Sequence, residues 1–304
     1  MVEANARRPY ADRLSLPQIV EQSKKFKTLT KLDEPATVYL KPKSGGEFRQ
    51  ICNFGPVARG AHLMVLKLLR MAYTPAEYQF TSLSVKEARS TALKHIKEEG
   101  FHHVAEIDIK GHYPSFIEEE LIKVLPLPKA VIHEIVMGAS AVWITQSVPS
   151  GYISNISQSP SGVPQGSGAS GEVASWSVAQ LKMAIRVKGL VVVNYADNFF
   201  VFANSEIALQ ATCEFLRSAI SKLPGGTFNG VEKQVGTVQD GFAMLGCWIG
   251  EKGGQATVEP TDTNLARLYD QIDDHCDTLT SVLKTAKMTN SPSLRYQGVQ
   301  AYLR

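Results

Sequence analysis

The most apolar stretch of the chain, Gly189 to Ala203, reads LVVVNYADNFFVFA after its opening glycine. At about 15 residues, with Asn194, Asp197 and Asn198 inside it, this stretch is too short and too polar to cross a bilayer. Its β-branched and aromatic residues instead form two strand-like runs around a polar turn. A hairpin over Val191 to Phe202 then places Asp197 at its tip. A second strand, His103 to Ile109 (HVAEIDI), delivers Asp108 at its C-terminal end. Each carboxylate sits where a strand stops and a polar end can face a ligand. Taken alone, each is ordinary strand-end or turn chemistry, because Asn tolerates positive φ and Asp caps turns.

The remaining pattern alternates strands and helices. ATVYLKPKSGGEFRQICNF predicts two strands around Ser44-Gly45-Gly46, since Gly-Gly between extended runs is a hairpin signal. Helices are expected over Leu16 to Phe26, His62 to Ala72, Ser84 to Glu99, Glu118 to Leu125, Lys129 to Ser140, Ala174 to Arg186 and Ile207 to Leu223. FAMLGCWIG reads as one strand, followed from Glu251 by a polar loop and then helix-like material over Thr263 to Lys287. Ser147 to Gly171 is dense in Ser, Gly and Pro and has the composition of a linker. With no internal repeat and with hairpins among the helices, the fold class is α+β or mixed α/β. The 304 residues suffice for one large domain or two to three subdomains.

The net charge of +3 hides a split. Residues 1–100 carry 17 Lys and Arg against 10 Asp and Glu, and the rest carries 15 against 19. A basic front and an acidic rear argue against disorder and suggest an anion-handling segment beside a carboxylate-rich one. Cys52, Cys213, Cys247 and Cys276 are scattered without a CxxC pair, which gives neither a disulfide framework nor a zinc signature. No apolar core follows the charges of the N-terminus, so no secretory signal is expected. The expectation is a soluble, cytoplasmic protein of a reducing compartment, without membrane attachment.

Together the two carboxylates read differently. On adjacent strands they could hold two hard cations roughly 3.5–4 Å apart, as phosphoryl-transfer sites do. Upstream, the basic hairpin residues Lys41, Lys43 and Arg49 suit a polyphosphate, although a solvated surface ribbon would look the same.

The order of segments resembles reverse transcriptases, especially the bacterial retron, group II intron and abortive-infection types. EIDIKGHYPSF (Glu106 to Phe116) is similar to their motif A, SGVPQGSGAS (Ser161 to Ser170) to motif B and NYADNFFVFA (Asn194 to Ala203) to motif C. Lys233 in GVEKQVG stands where motif D places a lysine, FAMLGCWIG resembles motif E, and YLKPKSGGEFRQI resembles the fingers hairpin. The resemblance covers roughly residues 36–250 in the family's order.

That resemblance implies a right-hand polymerase. Residues 1–100 would form a fingers-like basic segment, 101–250 a ferredoxin-like palm with some fingers elements, and 251–304 a short thumb-like helical region. It implies RNA-directed DNA synthesis from dNTPs on an RNA template with a DNA or RNA primer, and Mg2+ as cofactor with Mn2+ as a substitute. Further copies or a partner protein are compatible with it, and antiviral defence is one use of the class. Asp108 and Asp197 would be the metal carboxylates, with the Ile109 carbonyl as a further ligand. Arg49 and Lys43, or Lys41 in another hairpin register, would grip the triphosphate. Tyr113 would close off the sugar 2′ position, and Gln165 would touch the incoming nucleotide. Gly162, Gly166 and Tyr195 would lie against template and primer. Lys233 could give a proton to pyrophosphate, or be an exposed structural lysine.

Asn198 departs from the family, whose motif C usually carries a second Asp there. A unit charge 4 Å from another is worth roughly 4 kcal/mol at an effective dielectric of 20, so its loss weakens metal binding. Glu106 faces the same way as Asp108 two residues on and would add negative charge or line the groove. The same Asn198 keeps two alternatives open: a palm-type RNA-dependent RNA polymerase of a virus-like element, and a catalytically weakened nucleic-acid-binding relative. Asp273-Asp274-His275-Cys276-Asp277 fans around a helix and reads as a solvated face. His102 and His103 point to opposite faces and make no ligand pair.

Overall fold

Strand β1 (Pro35–Pro42) pairs antiparallel with β2 (Phe48–Phe54), and its register sets Val38 opposite Cys52 and Lys41 opposite Arg49. The computed structural model describes residues 14–15, 17–19, 21, 34–42, 48–145 and 160–288. Lys43 and the expected Ser44-Gly45-Gly46 turn lie outside the described residues, as does most of the expected helix Leu16 to Phe26, of which Pro17–Ile19 and Glu21 are helical. The chain divides into two units, Met1–Thr237 and Val238–Arg304.

In the first unit, helix α1 (Pro56–Ala72) starts a turn and a half before the expected His62. Pro56 supplies a preset φ at the first helical position. Glu34 accepts hydrogen bonds from the amides of Val57 (3.4 Å) and Ala58 (2.9 Å). Helix α2 (Val85–Lys97) is capped by Ser84, whose hydroxyl accepts from the Glu87 amide at 3.1 Å. Strand β3 (His103–Ile109) leads through a short 3-10 turn, Tyr113–Ser115, to α3 (Glu118–Val124). The next helix is shorter than expected: α4 (Lys129–Val131) widens into a π-turn over Ile132–Val136 and stops before Ser140. Gly138, at φ +69, turns the chain out of the helix there. Strand β4 (Val142–Thr145), which the sequence reading left out, pairs parallel with β1.

The expected single helix Ala174 to Arg186 is two helices, α5 (Ser170–Ala179) and α6 (Lys182–Lys188). The break has a visible cause. Gln180 and Leu181 donate three residues back, to Ser177 and Val178 at 3.1 Å each, and the Tyr78 hydroxyl donates to the Val178 carbonyl at 2.9 Å. Strands β5 (Val191–Tyr195) and β6 (Asn198–Ala203) form the anticipated hairpin. Helix α7 (Glu206–Ile220) and strand β7 (Gly230–Thr237) complete a four-stranded antiparallel sheet in the order β5-β6-β3-β7. This β-α-β-β-α-β connectivity is the split βαβ arrangement of an α+β fold.

Period-2 alternation gives the sheet two different faces. Ala105, Ile107, Ile109, Phe199 and Val201 belong to the buried cluster that includes Leu209, Cys213, Leu216 and Ile220 of α7. Glu106, Asp108 and Asn198 fall on the opposite face. Of the linker-like stretch Ser147 to Gly171, residues 147–159 lie outside the described residues and the rest is built into this unit: the Cys52 amide donates to the Gln165 carbonyl at 2.6 Å, and the Val163 amide to the Tyr113 carbonyl at 3.0 Å.

The second unit is a meander and a helix. FAMLGCWIG is not one strand but two, β8 (Phe242–Met244) and β9 (Cys247–Lys252), because Leu245 and Gly246 both take positive φ and reverse the chain. The expected polar loop after Glu251 is instead the end of β9 and strand β10 (Gln255–Pro260), whose Thr257 and Val258 pair with Gly250 and Ile249. Helix α8 (Asp262–Met288) follows, capped by Thr261, whose hydroxyl accepts from the Asn264 amide.

Gly166 and Gly171 should respond oppositely to alanine. Gly166 has φ +110 and its Cβ would lie 2.1 Å from the Cys52 carbonyl oxygen, whereas Gly171 on helix α5 has open space. Thermal unfolding should show Gly166→Ala losing about 2–4 kcal/mol, roughly 5–10 °C. Gly171→Ala should gain up to about 1 kcal/mol.

Candidate active site

The β3–β6 register sets Asp108 directly opposite Asn198, and the Ile109 amide donates to the Asp197 carbonyl at 2.9 Å. The two carboxylates therefore meet at one end of the sheet. The two-residue turn Ala196-Asp197 is tight, with Tyr195 paired to Asn198 on either side of it. Positive φ in this turn falls on Ala196 (φ 56), not on the expected asparagine. A left-handed alanine costs about 1–2 kcal/mol, so the surroundings must hold it.

They do so through two residues that the sequence reading did not single out as functional. Asn194, 1% exposed, donates through Nδ2 to the carbonyls of Ala196 (3.1 Å) and Asn198 (3.0 Å). Thr81 Oγ1 accepts from the Ala196 amide at 2.7 Å. An asparagine inside an otherwise apolar strand was the available signal for the first. Thr81 carried none.

Electrostatics tie the carboxylates together. Burial and then the negative charge of Asp108 push the Asp197 carboxyl above its usual range, with Arg49 and Lys233 acting in the opposite direction. Glu106 is also raised, by burial first and then by Asp108, with a smaller contribution from Asp197. Tyr113 is raised by burial and by Asp197, against Arg49. Asp108, Asp197, Glu106, Tyr113, Arg49 and Lys233 thus share one field.

Lys233 reaches this field through a bulge in β7. Glu106 pairs with Gln234 and Ile107 with Glu232, so Lys233 is the extra residue, and its Nζ lies 3.5 Å from Asp108 Oδ2. Asn198 Nδ2 donates to Asp197 Oδ1 at 3.2 Å.

Other candidates are placed as follows. Arg49 and Lys41 are exposed partners on the hairpin, and Gln165 and Tyr195 are half-buried. Gly162 (φ +66) has a virtual Cβ 2.2 Å from the Tyr113 carbonyl oxygen, as Gly166 has against Cys52, so close backbone packing accounts for both glycines. Asp273, Cys276 and Asp277 are exposed, and His102 lies exposed ahead of β3.

Among the described residues no three His, Cys, Asp or Glu side chains converge as a metal cage. The donor set nevertheless fits Mg2+. That ion is held by one or two carboxylates plus water and substrate phosphates, and here the Lys233 ammonium stands beside Asp108 where a cation is wanted. Among the described residues, no helix is long and apolar enough to cross a membrane.

No family model matches the chain, and no curated protein matches it. Solved structures with a similar course include telomerases of Candida. Apo telomerase from Candida tropicalis is 12% identical with TM-score 0.49, covering 95% of this chain and 62% of that one. Telomerase from the same organism in complex with a TWJ fragment of telomeric RNA is 14% identical with TM-score 0.48, covering 94% and 56%. The Candida albicans telomerase complex with such a fragment is 11% identical with TM-score 0.46, covering 80% and 49%. The chain thus spans between 49% and 62% of those chains. Each likeness is loose and leaves function to the geometry.

The raised Asp197 carboxyl has a definite consequence for stability. The native state binds that proton more tightly than the unfolded chain, so the favourable contribution is present at acid pH and is lost as pH rises through the raised value. Asp197→Asn in metal-free buffer should therefore unfold about 2–4 °C above the wild type near pH 7. Thermal scans should show the gap closing towards about pH 4.

Proposed function

We propose that the chain is a template-directed nucleotidyltransferase, an RNA-directed DNA polymerase that uses a two-metal reaction on dNTPs. One observation carries this reading: β3 and the β5–β6 turn bring Asp108 and Asp197 into one electrostatic field at the end of the sheet, with Tyr113 and Arg49 in the field of Asp197. In hand terms, residues 1–100 are the fingers, 101–250 the palm with some fingers elements and 251–304 the thumb.

Asp108 and Asp197 would hold Mg2+, with the Ile109 carbonyl as a further ligand and Mn2+ as a substitute. Bound there, the ions supply the positive charge that activates a primer 3′-hydroxyl and neutralises the triphosphate and its leaving pyrophosphate. Arg49, together with Lys43 or Lys41, binds the triphosphate oxygens, Arg49 through its bidentate fork. The Tyr113 ring lies under the sugar C2′ and leaves no room for a 2′-hydroxyl. Its backbone is fixed from behind by the Val163 amide. Gln165 contacts the incoming nucleotide, while Gly162, Gly166 and Tyr195 border template and primer. Lys233, whose Nζ lies 3.5 Å from Asp108 Oδ2, would give its proton to the leaving pyrophosphate. The basic first hundred residues follow nucleic-acid phosphates, so binding weakens steeply with salt.

Asn198 favours a second reading, a nucleic-acid-binding relative with weak or no catalysis, because the turn holds one carboxylate fewer than its family does. A primer-extension assay separates the readings, with Mg2+ or Mn2+, dNTPs or NTPs, and RNA or DNA templates. The expected result is dNTP incorporation on primed RNA that falls on the order of 10³-fold in Asp108→Ala. Preference for NTPs would turn the reading to an RNA polymerase, and nucleic-acid binding without incorporation would turn it to the non-catalytic relative. Tyr113→Ala should keep incorporation and narrow the dNTP-over-NTP preference by about tenfold, or ~1.4 kcal/mol. Competition between the two nucleotide classes measures it.

A further inference from the structure

Segment Ala76–Thr81, between α1 and α2, runs along the outer edge of β5. The Asn194 amide donates to the Tyr78 carbonyl at 2.7 Å, and the Phe80 amide to the Asn194 carbonyl at 2.9 Å. Gln79 and Asn194 form a parallel bridge. The segment ends at Thr81, whose hydroxyl oxygen receives the Ala196 amide at 2.7 Å. From the other side of the turn, buried Asn194 donates to the carbonyls of Ala196 and Asn198. The turn that carries Asp197 is therefore held at its amide by Thr81 and at its carbonyls by Asn194.

The same segment is anchored to α5. Gln79, 3% exposed, donates through Nε2 to the Ser175 carbonyl at 2.9 Å, and the Tyr78 hydroxyl donates to the Val178 carbonyl at 2.9 Å. The turn thus shares one rigid mount with the helix that follows the Pro-Gln-Gly loop. Nothing else about Thr81 explains its place. It is half-buried, lies at the start of a surface turn, and spends its oxygen on an amide 115 positions away.

We infer that Thr81 and Asn194 are positioning residues for Asp197: their hydrogen bonds hold Ala196 left-handed so that the neighbouring carboxylate stays aimed at the cation. This rests on the polymerase reading in one respect, the metal role of Asp197. Groups that orient metal ligands from behind typically change metal affinity by about 10–100-fold when removed. The hydroxyl carries the effect, and the methyl group of Thr81 does not.

Thr81→Val and Thr81→Ser test this in the full chain, with Asn194→Ala as a harsher companion that removes both carbonyl bonds. Two quantities are read: Mn2+ affinity by paramagnetic resonance, and exchange of the Ala196 amide by hydrogen–deuterium mass spectrometry. Thr81→Val should weaken Mn2+ binding by about tenfold or more and speed Ala196 exchange by about tenfold or more. Thr81→Ser, with its oxygen in place, should stay within about twofold of the wild type on both counts. Equal losses in both variants would assign the effect to packing of the methyl and overturn the inference. So would wild-type Mn2+ affinity in Thr81→Val. A wild-type chain that binds no Mn2+ while its Ala196 amide remains protected would instead overturn the metal role of Asp197, and the polymerase reading with it.

Discussion

The antiparallel register between β3 and β6 decides most of what this chain can do. It is set by Ile107 facing Phe199 and Ala105 facing Val201 on the side packed against α7, each one residue away from the polar side chains it positions. A shift of one residue would send Ile107 and Ile109 to the open face and the carboxylates into the core. Hydrophobic burial therefore enforces the placement of charge: the better the core packs, the more firmly Asp108 stands opposite Asn198. The placement of Glu106 and Asp108 is a by-product of the packing of Ile107 and Ile109 against α7.

A site built this way accumulates strain and like charge, and the surroundings offset each separately. The left-handed Ala196 is held by neutral hydrogen bonds from a distant segment and from its own strand. The repulsion between Asp108 and Asp197 is relieved by Lys233, which the β7 bulge turns towards Asp108, and by Arg49 on the hairpin. These solutions differ in kind. Hydrogen bonds to the backbone fix geometry whether or not a cation is present, whereas the exposed Lys233 is a mobile charge that a better cation displaces. The turn is thus held by fixed hydrogen bonds, while the charge beside it is balanced by side chains that can move.

Local features of this fold could be read in the sequence. The helix expected over Ser84 to Glu99 matches α2 to within two residues at each end, and HVAEIDI gave the bounds of β3 without error. The hairpin with Asp197 in its turn followed from residues adjacent in the chain. Features that depend on distant partners could not be read. Helix α5 stops where the Tyr78 hydroxyl takes a carbonyl from it, and no residue within the helix announces that. Strand β10 is exposed at both ends and half-buried between, so its sequence lacks the apolar alternation that marks a strand. Ser161 to Ser170 has the composition of a linker because its glycines must approach Tyr113 and Cys52 closely, and close packing and flexibility call for the same residue.

Asn198 gains its meaning from the same geometry. It faces Asp108 across the strands and donates to Asp197, so an aspartate there would set a third negative charge between two others. Burial and the charge of Asp108 already hold the Asp197 carboxyl high against Arg49 and Lys233. A further carboxylate would raise the repulsion by an amount of the order of kilocalories per mole at these separations, and that cost is recovered only while metal is bound. The amide instead supplies a donor, 3.2 Å from Asp197 Oδ1, that steadies the carboxylate's orientation. Two carboxylates with an amide donor hold a cation less tightly than three carboxylates, and they leave more of its coordination shell to water and substrate phosphates.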